Sequence, residues 1–359
     1  MPLDLLDIYL MTLERCSPER LVRAALPPGA PHDVVAIGKA AGALLDGVAE
    51  VHRVDDAIVA VPRGYRLPRT RAEVVVGGHP DMTAESFAAG RRVVEFVDAH
   101  DDILFLISGG GSACVEVPLS PHTERDLIEM NARVVASGLP IGEMNNIRKQ
   151  FSAIKGGRLG ARVRGRSVTL VYSDVSRGAL ADVASGPTIR PGSDAILIAD
   201  NDTLTAAAAA IAAENGLRVT RWPSQIEMDV AEAAEALAAR AASLEPGELI
   251  VAGGETTVER RGNGRGGRCS ELAVRFSMAA RKRGVNDVSA LFGSSDGVDG
   301  TSGAAGVLIR RIPQQLDPDA VRRALNASDS MAIAAQIGEP LTITATGNNL
   351  RDIVLMARG

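Results

Sequence analysis

The stretch DILFLISGGGSACVEVP, residues 102–118, joins a run of apolar residues directly to a glycine-rich turn. The apolar run does not alternate with polar residues, which is typical of a strand buried on both faces of a parallel sheet. Such a sheet needs helices on both faces to cover it. This stretch therefore predicts an α/β fold.

The first half of the chain repeats this pattern. Further buried strands are predicted at residues 33–38, 57–62, 72–78 and 167–174. Helical patterns are predicted at residues 85–100, 124–138 and 205–216. The alternation of strands and helices predicts an N-terminal domain over residues 1–225, with a doubly wound, Rossmann-like parallel sheet.

A second block follows residues 220–225, where the sequence reads TRWPSQ. An amphipathic helix over 228–247 leads into a predicted strand at 248–254. Further strands are predicted at residues 288–296, 306–311, 341–347 and 352–357. We therefore expect a second α/β domain over residues 226–359.

The composition excludes several classes of protein. The net charge is −5 and aromatic residues are 3% of the chain, which disfavours nucleic-acid and anionic-membrane partners. The three cysteines form no C-x-x-C pair, which disfavours a zinc site or a disulfide framework. The N-terminal segment is acidic where a signal peptide would be basic, and there is no apolar run of about 18 residues. A cytoplasmic protein is expected, and the oligomeric state is left open, a homodimer included.

Small polar clusters follow the predicted strands. They are Ser108 to Ser112, Ser173 with Asp174, Gly253 to Thr257, and Ser294 to Asp299. Ligands of open α/β sheets bind beyond the carboxyl ends of the strands, so these clusters are candidates for one binding site. A single cluster could equally be a tight turn, but four in one chain favour a ligand.

The cluster in residues 108–112 fits phosphate chemistry. Its glycines, Gly109, Gly110 and Gly111, let backbone amides approach phosphate oxygens closely, and Ser112 follows them. It is not a Walker A loop, and Cys114 stands where a G-x-S-x-G motif needs glycine. No histidine lies in a recognisable triad context, so a serine hydrolase is disfavoured.

Charged residues near these clusters complete the set of groups that phosphoryl transfer needs. Lys39 ends the first strand and can hold a phosphate as a point charge, although an exposed surface lysine would look the same. The polar segment 142–159 supplies Asn145, Arg148 and Lys149. Asp296 and Asp299 are candidates for magnesium, with turn aspartates an equally good interpretation.

The stretch GGETTVERRGNGRGGR, residues 253–268, could be a linker, an RNA-binding tract or an anion-binding loop. A predicted strand runs into it and an alanine-rich helix leaves it, which disfavours a linker. A single copy in an acidic chain disfavours an RNA tract. An anion site is left, in which Arg268 supplies the charge.

Taken in order, several blocks of the sequence resemble the type II glycerate kinases, whose domains are known as DUF4147 and MOFRL. The blocks are IGKAAG (37–42), GHP (78–80), ISGGGSA (107–113), MNNIRKQFSAIKGGRL (144–159), SDV (173–175), ASGPT (184–188), GGETTV (253–258), GRGGR (264–268) and SDGVDGTSGAAG (295–306). The resemblance implies a kinase that uses ATP and Mg²⁺ to convert D-glycerate, or a related hydroxy acid, to a product such as 2-phosphoglycerate. It also implies an N-terminal Rossmann-like domain, a C-terminal MOFRL domain and an active site in the cleft between them.

The resemblance and the residue chemistry together give each candidate a role. Lys39 and Arg268 are expected to be catalytic, through their charge on the phosphoryl group. The expected nucleotide and phosphate ligands are Gly109, Gly110, Gly111, Ser112, Asp174, Gly253, Gly254, Glu255, Gly266 and Gly267. The expected substrate ligands are Ser108, Asn145, Arg148, Lys149 and Asn349, and the expected metal ligands are Asp296 and Asp299.

Three departures from the family pattern leave the substrate open. Cys269 and Ser270 replace the usual Asn-Gln, TATGNNLRD (344–352) replaces a pattern that begins Gly-Pro, and SDVSRG replaces SDVGD. A hydroxy acid other than glycerate is therefore an alternative substrate. Two other functions are also open: an NAD(P)H-dependent reductase of the hydroxypyruvate type, although no G-x-G-x-x-G follows the first strand, and a noncatalytic protein that binds anions or nucleic acid.

Overall fold

The computed structural model describes residues 4–137, 141–175 and 180–358. The helices are α1 (Leu5–Arg15), α2 (Pro18–Ala25), α3 (Ala41–Ala49), α4 (Ala84–Ala99), α5 (Gly111–Cys114), α6 (Glu124–Ala136), α7 (Ile141–Phe151), α8 (Asn201–Glu214), α9 (Val230–Ala241), α10 (Arg268–Lys282), α11 (Pro318–Asn326) and α12 (Ser330–Ile337). The strands are β1 (Asp33–Ile37), β2 (Ala57–Pro62), β3 (Glu73–Gly77), β4 (Ile103–Ser108), β5 (Ser167–Tyr172), β6 (Ala195–Ala199), β7 (Arg218–Arg221), β8 (Glu248–Gly254), β9 (Val288–Ser294), β10 (Gly306–Ile309), β11 (Glu339–Pro340) and β12 (Asp352–Arg358).

The chain forms two compact units. One, the parallel-sheet unit, runs from Ser17 to Asp200. The other, the mixed-sheet unit, combines the N-terminal residues up to Cys16 with the residues from Asn201 onward. This division differs from the predicted boundary between residues 225 and 226.

Two groups of contacts account for the difference. Helix α1 packs on α8, and the Tyr9 hydroxyl donates a hydrogen bond of 2.6 Å to the carbonyl of Ser294. At the start of α8, the side-chain amide of Asn201 donates through Nδ2 to the backbone carbonyls of Leu350 and Asp352 at 2.7 and 3.1 Å. The N-terminal helix and residues 201–225 therefore lie with the C-terminal half of the chain.

The parallel-sheet unit has the strand order β3-β2-β1-β4-β5-β6, and every neighbouring pair is parallel. The order reverses direction between β1 and β4, which is the point where ligands bind in doubly wound folds. Strands β2 and β4 are buried along their whole length, as their unbroken apolar sequences predict. The predicted doubly wound α/β fold is confirmed.

The mixed-sheet unit has the strand order β11-β10-β9-β12-β8-β7. Only β7 and β8 are parallel, and the other neighbouring pairs are antiparallel. Helices α9 and α10 pack against each other, with Leu237, Phe276 and Phe292 in the apolar core. Strands β8, β9 and β12 bring Gly254, Ser294 and Asp352 into register.

The sequence prediction was wrong for the strand at 341–347. Strand β11, at Glu339–Pro340, ends before this range. Leu341 still exchanges backbone hydrogen bonds with Ala305 and Gly306, but Thr346 bonds to the acidic loop after β9. The hydroxyl of Thr346 donates to the carbonyl of Ser295 at 2.6 Å, and its amide donates to the carbonyl of Asp296 at 3.2 Å. Strands β6 and β7 were not predicted; each lies at the edge of its sheet and is only partly buried.

Where a helix or strand was predicted correctly, the residues at which it begins and ends are the main difference from the prediction. Helix α9 begins at Val230 and ends at Ala241, within the predicted 228–247. In the part of the chain that the structure describes, no helix is long and apolar enough to cross a membrane.

Candidate active site

The turn after β1 and the turn after β4 are joined by hydrogen bonds. The amide of Lys39 donates to the carbonyl of Gly109 at 2.9 Å, and the amide of Ala40 donates to the hydroxyl of Ser108 at 3.0 Å. Gly38 lies between them at φ +114°, and a Cβ there would come within 2.4 Å of the Ser108 carbonyl. Glycine is therefore required at this position, and Lys39 is fixed beside the glycine-rich turn.

The side chain of Lys39 passes over Gly110. A Cβ on Gly110 would lie 2.9 Å from Cγ of Lys39, so a larger residue would displace the lysine. The ammonium of Lys39 lies 5.3 Å from the centre of the Tyr65 ring, within the range of a cation–π interaction. Tyr65 was not among the predicted site residues, and a single tyrosine between predicted strands gives no signal of its own.

A chain of polar side chains leads from the glycine-rich turn to helix α7. The hydroxyls of Ser112 and Ser185 are 2.7 Å apart, and Ser185 donates to the amide oxygen of Asn145 at 3.2 Å. Arg148 donates to the same oxygen at 3.4 Å and, through Nε, to Asn131 at 3.0 Å. Three predicted residues, Ser112, Asn145 and Arg148, are thus brought together. Ser185 lies in the ASGPT block but was not predicted as a site residue.

Two further predicted site residues of this unit are Lys149, on helix α7, and Asp174. Lys149 forms an ion pair of 3.3 Å with Asp182, and both side chains are about a quarter exposed. Asp174 follows β5 and is half-buried.

A buried ion pair supports this side of the site. Lys155 bonds to Glu116, each with a side chain only 1% exposed, and Ser152 donates to the same carboxylate at 2.5 Å. Burial lowers the pKa of Lys155, and the neighbouring Glu116 carboxylate opposes that shift. The amide of Gly156 then donates to the carbonyl of Ser185 at 3.1 Å. The ion pair is therefore linked to the loop that carries Ser185.

In the mixed-sheet unit, Arg268 is the first residue of α10 and is held by two carboxylates. Its Nη1 lies 2.6 Å from Glu255, and its Nε and Nη2 donate to the two oxygens of Asp352 at 3.1 and 3.3 Å. The Asp352 carboxylate raises the pKa of Arg268 above its already high ordinary value. The Arg268 side chain is 39% exposed, so a ligand can reach it.

A small pocket lies at this point, beside the C-terminal end of β8, the start of β12 and the start of α10. Its lining includes the predicted residues Gly253, Gly254, Glu255 and Arg268. The apolar lining includes Ile226, Leu272, Phe292, Ile353 and Val354. The pocket is therefore apolar inside and charged at Arg268, Glu255 and Asp352.

The glycines of the 253–268 loop pack against other segments of the unit. A Cβ on Gly266 would lie 2.4 Å from the Ser330 hydroxyl, and one on Gly267 would lie 2.1 Å from Asp299. Gly254, at φ +136°, would collide with the backbone of Ile226 in the same way. These glycines are therefore needed for packing, and their role in opening the backbone to an anion stays a prediction.

The two acidic residues of the 294–299 loop have different surroundings. Asp299 is buried and accepts hydrogen bonds from the amides of Cys269 and Ser270, at 2.8 and 3.0 Å. Burial raises the pKa of Asp299. Asp296 is half-buried and accepts from the Ser294 hydroxyl and the Val298 amide, both at 2.9 Å. Asp299 therefore holds the first turn of α10, whereas Asp296 is partly exposed and stays a predicted metal ligand.

One of the three departures from the family pattern, Cys269 with Ser270, occupies the same turn. Cys269 is buried there, and the hydroxyl of Ser270 accepts from the amide of Gly267 at 2.9 Å. Ser270 also lies 2.9 Å from the hydroxyl of Ser330. These two residues therefore build the start of α10.

The segment before β12 carries Asn349 and an arginine that was not predicted. Asn349 is buried. Arg351 has a left-handed backbone, at φ +66°, and bonds to Gln225 at 2.8 Å and to Glu227. Its Nε lies 3.8 Å from Glu255, so Glu255 lies between Arg268 and Arg351. The position of Arg351 next to Asp352 is the signal that could have identified it.

Comparisons with known proteins agree with this architecture. DUF4147, described as a domain of unknown function, matches residues 4–218, and the MOFRL family matches residues 248–352. A D-glycerate 2-kinase from Thermotoga maritima is 28% identical, over 98% of this chain and 96% of the relative. A protein of Agrobacterium vitis, provisionally named as a hydroxypyruvate reductase, is 32% identical, over 89% of this chain and 85% of the relative.

A solved structure extends the likeness to the whole fold. The crystal structure of glycerate kinase from Thermotoga maritima matches with a TM-score of 0.85 at 26% identity, over 99% of this chain and 98% of that chain. The DUF4147 match by itself spans more than half of the chain. On these grounds the chain belongs to the glycerate kinase family.

Proposed function

We propose that this protein transfers the terminal phosphoryl group of ATP to a hydroxyl of a small hydroxy acid. D-glycerate, converted to 2-phosphoglycerate, is the first candidate substrate. The enzyme class, a phosphotransferase that acts on a hydroxyl, follows from the glycerate kinase relatives and the solved structure. The nucleotide, the metal and the identity of the acid are the parts that we add.

One observation carries the choice of a kinase over a reductase. In a dinucleotide-binding fold, the backbone of the first strand–helix turn approaches the pyrophosphate. Here the amides of Lys39 and Ala40 are hydrogen-bonded to Gly109 and Ser108. The turn instead presents a lysine side chain beside a glycine-rich turn, which favours a phosphate held by charge.

The chemistry asked of these residues is electrostatic. In phosphoryl transfer, negative charge spreads over the oxygens of the transferring group, and catalysis depends on positioning and charge stabilisation. Lys39 and Arg268 are proposed to supply positive charge, as a point charge and as a planar fork respectively. The two carboxylates on Arg268 fix the orientation of its guanidinium within the pocket.

The residues present fit a magnesium ion held mainly by phosphate and water. Within the described ranges, there is no group of three or more His, Cys, Asp or Glu side chains that could hold a metal. Mg²⁺ commonly uses only one or two carboxylates together with substrate phosphates, and Asp296 would supply one. When bound, the ion would neutralise charge on the phosphates. Asp299 is the poorer ligand, because both of its oxygens hold the start of α10.

The test is an ATP-consumption screen over glycerate, erythronate, threonate, tartronate and larger sugar acids, with and without Mg²⁺. Strong, Mg²⁺-dependent turnover of one acid would support the proposal and identify the substrate. A parallel NADH assay with hydroxypyruvate should show no change in absorbance. Oxidation of NADH without ATP consumption in the screen would overturn the proposal in favour of the reductase.

A further inference from the structure

Lysine is rare in this chain. Only Lys39, Lys149, Lys155 and Lys282 are lysines among thirty-nine basic residues. Lys155 is buried against Glu116, Lys149 pairs with Asp182, and Lys282 is exposed at the end of α10. The ammonium of Lys39 lies beside the face of an aromatic ring.

The ring belongs to Tyr65, which lies in the loop between β2 and β3. The Lys39 ammonium is 5.3 Å from the ring centre. The ring of His79 meets the Tyr65 ring edge-on, with centres 6.3 Å apart and planes at 78°. His79 also faces Gly110, since a Cβ on that glycine would lie 3.3 Å from the imidazole. Two aromatic rings therefore lie along the path of the Lys39 side chain.

The loop that carries Tyr65 is itself tightly held on helix α3. Asp46, buried on that helix, accepts the amides of Arg69 and Thr70 at 2.8 and 2.9 Å. The guanidinium of Arg66 bonds to the same carboxylate at 3.1 Å. Gly42, on the first turn of α3, lies so close to the loop that a Cβ would come within 2.6 Å of the Arg66 carbonyl. The position of the Tyr65 ring is thus set by the helix that Lys39 precedes.

From these contacts we infer that Tyr65 is a positioning residue for Lys39, acting through its ring face. The ring contacts the ammonium through its face, an attraction that orients the charge and adds no opposite charge of its own. The hydroxyl of Tyr65 has no part in this role. The inference rests on the proposed function only in its effect on turnover, because the contact itself can be measured in the absence of substrate.

The contact can be observed by reductive ¹³C-methylation, which labels lysine amines and leaves them positively charged. With four lysines in the chain, the dimethyl resonances can be assigned with Lys39→Arg, Lys149→Arg and Lys282→Arg variants. We expect the Lys39 resonance of the full-length protein to lie upfield of that of Lys282, because of the ring current of Tyr65. Tyr65→Phe should retain this shift, and Tyr65→Leu should abolish it.

Turnover of unlabelled protein supplies the second readout. Tyr65→Leu should lower kcat by about three- to thirtyfold with a smaller change in KM, the range that a cation–π contact corresponds to. Tyr65→Phe should restore most of the lost kcat. Lys282→Arg, at an exposed position far along α10, is the matched control and should leave kcat unchanged. Thermal midpoints of all variants establish that each has folded.

The two readouts together test the positioning role of Tyr65 separately from the proposed function. A Lys39 resonance that stays in place in Tyr65→Leu, or a Tyr65→Phe variant as impaired as Tyr65→Leu, would overturn the inference. If the wild-type protein phosphorylates no hydroxy acid but the resonance shifts as expected, the proposed function fails and the contact stands. A shifted resonance in Tyr65→Leu with unchanged kcat would overturn the positioning role.

Discussion

Lys39 and Arg268 both follow a buried strand and both stand at the beginning of a helix, yet their surroundings differ. Lys39 lies over a tyrosine ring, beside a turn fixed by backbone hydrogen bonds. Arg268 lies between the carboxylates of Glu255 and Asp352. The difference teaches that two cations proposed for the same chemistry have different neighbours: an uncharged ring contributes to the placement of Lys39, whereas two carboxylates hold Arg268.

The largest effect on stability is expected at the buried ion pair of Lys155 and Glu116, which supports the part of the site around Ser185. Lys155→Met leaves Glu116 as an unpaired charge in the interior of the parallel-sheet unit, and should lower the free energy of unfolding by about 3–5 kcal/mol. Urea unfolding measures this loss. Lys149→Met is the matched control and should cost no more than about 1 kcal/mol, because its pair with Asp182 is partly exposed.

Adding Glu116→Gln to Lys155→Met should recover much of the lost stability, because the buried charge is then removed with its partner. A double variant as unstable as the single one would show that the loss comes from packing and not from the unpaired carboxylate.

The next largest effect concerns Lys39 itself. Lys39→Ala should lower kcat by about 10²- to 10³-fold, the usual cost of removing one group that stabilises the charge of a transition state. Timed assays of ADP formation and of the phosphorylated product measure this change in kcat. Lys282→Ala, an exposed lysine of the same chain, should retain full activity. Similar turnover in the two variants would remove Lys39 from the proposed mechanism.

A smaller effect is expected for Arg268→Lys, which keeps the charge but loses the planar fork that meets both oxygens of Asp352. We expect kcat to fall by about tenfold or more, with little change in thermal midpoint, because Arg268 lies at a pocket edge and is partly exposed. Steady-state kinetics with the best substrate of the screen test this. Full activity in Arg268→Lys would mean that only its charge matters, as for Lys39.

The smallest effect is expected at the base of the Arg268 site. Asp299→Asn removes an acceptor from the first turn of α10 and should lower stability by about 1 kcal/mol at pH 7. Asp296, in the same loop, accepts from Ser294 and Val298, and Asp296→Asn should instead raise the Mg²⁺ concentration needed for half-maximal activity. Urea unfolding and Mg²⁺ titration separate the two. An unchanged Mg²⁺ requirement would exclude Asp296 as a ligand.

The pH dependence of the Asp299 variant has a definite sign. Burial raises the pKa of Asp299 above its ordinary value, so the folded state holds this proton more tightly than the unfolded chain. Protonated Asp299 therefore contributes to the free energy of unfolding. This contribution is fully present below the ordinary pKa and is lost as the pH rises through the raised pKa of the folded state. The advantage of wild type over Asp299→Asn should therefore be larger at acid pH than at pH 7. An advantage that grows toward pH 7 would contradict the burial of this carboxyl.

The sequence predicted the parallel-sheet unit better than the mixed-sheet unit, for a physical reason. Strands buried on both faces, such as β2 and β4, are unbroken apolar runs, so their number and order along the chain can be inferred. Residues 341–347 have the composition of a strand but bond through Thr346 to a loop, and composition does not report such a partner. The assignment of α1 to the second unit depends on contacts like that of Tyr9 with Ser294, which are almost three hundred residues apart.

The candidate site shows the same limit. Residues in glycine-rich blocks, such as Lys39 and Arg268, could be selected from their place after a strand. Tyr65 could not, because its contact with Lys39 is supplied only by the fold. Asp299 was predicted as a metal ligand from its loop, whereas its oxygens hold a helix start thirty residues earlier in the chain.

The central claim, phosphoryl transfer to a hydroxy acid with Lys39 as an electrostatic catalyst, is tested most directly by ³¹P NMR. Wild-type protein, Lys39→Ala and Lys282→Ala would each be incubated with ATP, Mg²⁺ and D-glycerate or the best acid of the screen. We predict a new phosphomonoester resonance, formed in step with ADP, for wild type and Lys282→Ala, and little or none for Lys39→Ala. No phosphomonoester with wild type, or equal formation by Lys39→Ala, would contradict the claim.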